Sequence, residues 1–135
     1  MSLNDELTAF EAAVNECEKM LADGRFNVDA IEKQIRNTAD PNAMIAKTGE
    51  WIGILTGQSK KMDIVRLKEL KYQHPNDSRI SQLGSRAAKC FVALNNIGLD
   101  VSERFASPDV IAEQKLQNQQ ARKMLEVLLS GLFLP

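Results

Sequence analysis

At 135 residues, 44% of them hydrophobic and 26% charged, the chain has the size and balance of one folded domain, which excludes the composition of a disordered segment. No run approaches the roughly 18 apolar residues of a membrane helix, and the first twenty residues are charged and periodic, unlike a signal peptide, so a cytoplasmic location is expected. The net charge of −1 is unevenly spread: residues 1–50 carry ten acids and five bases, residues 51–100 eight bases and four acids.

Ser2 followed by Asp5 resembles a capping box and opens a helix in which Leu3, Leu7, Phe10, Val14, Cys17 and Leu21 alternate steps of four and three. Such a stripe is a coiled-coil-like seam, suited to docking on another helix of the same chain or of a neighbour. Asp23-Gly24 stops it. Asn27 caps a shorter second helix bearing Val28, Ile31 and Ile35, which Pro41 brings to an end near Thr38. Asp40-Pro41 then starts a third, the aspartate capping free amides and the proline already holding the first-turn backbone angle.

Met44, Thr48, Trp51 and Leu55 keep one face of that third helix, and Met62, Ile64 and Val65 resume it towards Tyr72. Gly53 and Gly57 each cost about 1 kcal/mol relative to alanine inside a helix, so the pattern allows one continuous helix or a break between Leu55 and Lys60. His74-Pro75-Asn76-Asp77-Ser78 is a turn, and Asp77 or Ser78 caps a fourth helix carrying Ile80, Leu83, Ala87, Cys90, Phe91, Leu94 and Ile97, ended by Gly98. Ser107-Pro108-Asp109 opens a last helix with Ile111, Leu116, Ala121, Met124, Leu125 and Leu128 on or near its inner face, followed by a tail at 131–135. Nothing in the chain shows sustained two-residue alternation or a hairpin turn pair. The expected fold is therefore all-α: a single helical domain over 1–135, a bundle of four to six mostly antiparallel helices.

Residues suited to chemistry are sparse. The one histidine, His74, sits in a turn before proline with no metal-ligand partner at helical spacing, and the common metal, redox and nucleotide motifs are missing. No catalytic residue, cofactor, metal or small-molecule substrate is expected. Cys17 and Cys90 fall at apolar helical positions and read as buried free thiols. Asp5, Glu6, Glu11, Glu16 and Glu18 read as the solvated outer face of the first helix, and Trp51 as core.

Two features point to partners. The C-terminal run through Leu132, Phe133 and Leu134 is apolar around too much of a helix for one-sided packing, so it either folds back on the bundle or forms an exposed patch. A basic middle holds Lys60, Lys61, Arg66, Lys68, Lys71, Arg79, Arg86 and Lys89, with Arg79, Arg86 and Lys89 on one side of a helix. It can be a solvated face, a match for the acidic first helix, or a phosphate-binding patch with only Tyr72 and Phe91 for stacking. A helix-turn-helix over Thr48 to Leu70 is a variant of the last.

The function expected is that of a non-enzymatic protein-interaction or assembly module, such as a structural subunit or an assembly or secretion chaperone. It would self-associate or meet a protein partner through Leu3, Leu7, Phe10, Val14 and Leu21 together with Leu132, Phe133 and Leu134. The alternative is a nucleic-acid-binding helical protein using Lys60, Lys61, Arg66, Lys68, Arg79, Arg86 and Lys89.

Overall fold

A computed structural model describes residues 2–38 and 40–129. They form six helices: α1 (Leu3–Ala22), α2 (Val28–Arg36), α3 (Pro41–Lys61), α4 (Ile64–Gln73), α5 (Ser78–Arg104) and α6 (Ile111–Leu129). No strand occurs among the described residues. The other five helices all pack on α5, the longest, which acts as a central mast.

The helix starts follow from their caps. The side-chain oxygens of Ser2, Asn27, Asp40 and Asp77 each accept a backbone N–H of the first helical turn, at 2.9–3.2 Å, which satisfies donors that have no partner within the helix. Gly24, at φ 85°, supplies the left-handed residue that ends α1.

Three boundaries differ from the sequence expectation. The third helix breaks at Met62-Asp63, not between Leu55 and Lys60. Gly53 and Gly57 lie inside α3 with open space around them, whereas Asp63 adopts φ 41° and caps α4 by accepting the Arg66 amide at 3.3 Å. The turn leaves Met62 fully buried, so the chain changes direction where a side chain is anchored. The fourth helix passes through Gly98 to Arg104, because Gly98 is a packing residue: a Cβ there would sit 3.7 and 3.8 Å from the side chains of Ile52 and Leu55. The last helix begins at Ile111, after a turn in which the Val110 amide donates to the Ser107 carbonyl at 3.1 Å.

The main core joins Leu7, Val14 and Cys17 of α1 to Leu55, Leu67, Leu70, Leu83, Leu94 and Leu129 of other helices, with Leu3, Phe10 and Leu21 partly buried against it. The seam read as an interface is thus inside the molecule. Burying one such leucine or valine contributes roughly 1.5–3 kcal/mol, and turning the stripe outward would forfeit that contact. A smaller cluster of Ile31, Ile35 and Val101 lies where α2 meets the end of α5, with Trp51 packed against both clusters. Phe26 meets Trp51 edge-on at 6.4 Å, and the Arg36 guanidinium lies 4.9 Å above the Phe105 ring.

Candidate functional site

The basic middle of the chain faces the acidic first helix. Arg79 reaches Asn4, Thr8 and Glu11, while Arg86, seven residues on, reaches Asn15 and Glu18, which lie seven residues after Thr8 and Glu11. The repeat fixes α1 and α5 side by side and parallel. Arg66 binds Glu6 through two nitrogens at 2.9 and 3.1 Å, and Lys61 lies 3.6 Å from Glu16. These hydrogen bonds hold the Glu6 and Glu18 carboxyls below the usual carboxylate range against the opposing effect of desolvation. Lys60 and Lys89 are exposed and Lys68 is half-buried. Four of the seven candidate residues, Lys61, Arg66, Arg79 and Arg86, are therefore already engaged by α1.

Cys17 and Cys90 meet across the same α1–α5 boundary as buried free thiols. Cys17 donates to the Cys90 sulfur and is cut off from water, which raises its pKa and leaves it a poor nucleophile.

The other side of α5 carries α6. Its contact with α6 carries a polar network. The buried Asn118 amide donates to the Leu99 carbonyl at 3.1 Å and to Glu103 at 3.2 Å, and Arg122 donates to Asn96 at 3.2 Å and Asp100 at 2.6 Å. These pairings make α6 antiparallel to α5. They also turn Leu116, Met124 and Val127 outward, with exposures of 55%, 73% and 77%. Leu116 and Met124 were expected on the inner face. Asn118 and Arg122 hold that position instead, while Ala121 and Leu125 are half-buried. The expected interface residues Leu132, Phe133 and Leu134 lie outside the described residues.

A trough on α5 opens towards the start of α6. One hollow of about 230 Å³ lies between α3 and α5, and a second of about 590 Å³ continues it towards the start of α6, the two sharing Ser102. Phe91, Asn95, Leu99 and Ser102, on one face of α5 over about three turns, form its floor, with Ala106 just beyond the end of the helix. Ile45, 71% exposed, stands on its α3 wall and Val110 at its α6 end. Within the floor, the buried amide nitrogen of Asn95 has no hydrogen-bond partner among the described residues. A buried donor left unpaired costs about 1–3 kcal/mol.

No family model, curated protein or solved structure matches the chain.

The site therefore rests on geometry alone. Sequence patterning missed the trough because its floor mixes Asn95 and Ser102 with Phe91 and Leu99. It missed the outward face of α6 because an asparagine and an arginine occupy the inner one. The available signal was the step pattern itself: polar residues at Asn95 and Ser102 continue the inward spacing of α5 without being apolar.

Proposed function

We propose that the protein is a non-enzymatic helical interaction module that works by protein contact. The outward face of α6 forms the contact surface. The observation that carries this reading is the exposure of Leu116, Met124 and Val127 on one face of a helix already docked by other residues. In a helix whose opposite face is satisfied, such a stripe offers apolar anchors at i, i+8 and i+11 for helix-in-groove recognition. A structural subunit and an assembly chaperone both use surfaces of this kind. The cytoplasm is the compartment proposed, from composition and the two thiols. No helix among the described residues is long and apolar enough to cross a membrane.

The nucleic-acid alternative is less well supported, since Arg66, Arg79 and Arg86 already bind the carboxylates and amides of α1. The test of the contact reading is photo-crosslinking in cells. A benzophenone amino acid replacing Met124 should capture a protein, and one replacing the exposed Lys33 should not. Adding Leu116→Asp and Val127→Asp should abolish the Met124 adduct while the helical circular dichroism is retained. Absence of any protein adduct at Met124 would overturn the reading.

A further inference from the structure

We infer that Cys17 and Cys90 are a peroxide-responsive thiol pair, in which Cys90 takes up the oxidant and Cys17 closes an intramolecular disulfide that ties α1 to α5. The parallel register of the two helices brings the sulfurs together. Thr8 and Asn15 of α1 meet Arg79 and Arg86 of α5 at the same separation of 71 residues, and the polar contacts along this boundary span separations of 68 to 75. Cys17 and Cys90, 73 residues apart, therefore stand at one level of the two helices. Both belong to the main core cluster, with exposures of 0% and 3%, and Cys17 donates a hydrogen bond to the Cys90 sulfur. Two thiols that already touch across a helix boundary have the close approach that a disulfide requires.

Access falls on the Cys90 side. A surface hollow of about 380 Å³ is lined by Glu18, Leu21, Ala22, Lys89 and Cys90, and it admits a small hydroperoxide to the Cys90 sulfur. Cys17, with no exposed surface, lies behind it. The two thiols also differ in character. The hydrogen bond from Cys17, helped by the Arg86 guanidinium, lowers the Cys90 pKa against burial and the Glu18 charge, while the same bond and burial keep Cys17 protonated. With hydrogen peroxide as oxidant, the Cys90 sulfur attacks one peroxide oxygen, the O–O bond breaks, and the departing hydroxide leaves as water with the Cys90 proton. The Cys90 sulfenic acid so formed is then attacked by the Cys17 sulfur, which displaces its hydroxyl as a second water with the Cys17 proton. One peroxide is reduced and two thiols are oxidised. The resulting bond closes a long loop in the unfolded chain, which favours the folded state and holds the α1 stripe against α5.

The test is titration of the purified, reduced full chain with hydrogen peroxide under native conditions. Both free thiols should disappear together, the intact mass should fall by two hydrogens, and digestion should yield one peptide linked through Cys17 and Cys90. Helical circular dichroism should be unchanged, the thermal midpoint of the oxidised chain should rise, and dithiothreitol should restore both thiols. Cys17→Ser should leave Cys90 as a sulfenic acid that dimedone labels, whereas Cys90→Ser should leave Cys17 unlabelled at the same dose. If either serine variant fails to fold, the linkage and midpoint of the unmodified sequence still decide the matter. Thiols that survive peroxide in the folded chain, a linkage between two chains, or an oxidation rate that simply follows the fraction unfolded in urea overturns the pair. Dimedone on Cys17 in a folded Cys90→Ser variant overturns the assignment of Cys90 as the thiol attacked first.

Discussion

Arg86 and Gly98 show how much individual positions on α5 decide. Glu18 has its pKa lowered from 4.5 chiefly by the Arg86 hydrogen bond, so the pair contributes stability above that value and loses it as pH falls through the lower, folded-state value. Arg86→Ala is expected to lower stability at neutral pH by no more than about 1 kcal/mol, since both groups are partly solvated, and to flatten the fall of the thermal midpoint below pH 4.5. Scans of both proteins across acid pH check this; identical slopes would show that the pair contributes nothing. Gly98 gives the opposite sign. A Cβ there would find Ile52 and Leu55 at ordinary contact distance, so Gly98→Ala should stabilise the fold by up to about 1 kcal/mol through helix propensity. Gly98→Leu should cost about 1–3 kcal/mol by overpacking. Urea midpoints of the two variants, one raised and one lowered, are the outcome expected.

At the scale of elements, α6 is tied to α5 by the polar contacts of Asn118 and Arg122. Asn118→Ala removes the donor to Leu99 and Glu103 and should cost about 1–2 kcal/mol. Amide exchange in α6 should accelerate more than in α1, which has no contact with that asparagine; uniform acceleration would mean that α6 is not a separately loosened element. The same helix marks where reading the sequence fails. Cap residues Ser2, Asn27, Asp40 and Asp77 placed four helix starts because capping is local chemistry, legible from two or three neighbouring residues. Asp63 was not recognised because a left-handed aspartate carries no composition signal, and Gly98 was misread because its role depends on side chains of α3 over 40 residues away. The inward face of α6 could not be read because Asn118 and Arg122 find their partners on α5. The stripe on α1 was legible as a docking seam, but periodicity does not say whether the receiving helix belongs to the same chain.

For the molecule as a whole, five helices share one mast, yet the core is in two parts. Ile31, Ile35 and Val101 form the smaller part at the far end of α5. Ile31→Ala, at a fully buried position, should cost about 2–5 kcal/mol and raise amide exchange chiefly in α2 and at the end of α5. Equal exchange throughout the bundle would show that the two clusters unfold as one. The contact of α1 with α5 has a different kind of consequence, one that belongs to synthesis. Residues such as Thr8 and Arg79 are 71 positions apart, so the apolar stripe of α1 emerges from the ribosome well before the surface that receives it exists. At about 5–20 residues per second, that stripe faces solvent for roughly 4–14 s on the nascent chain. During that interval the α1 stripe is open to a co-translational chaperone, although in the finished molecule it packs into the core.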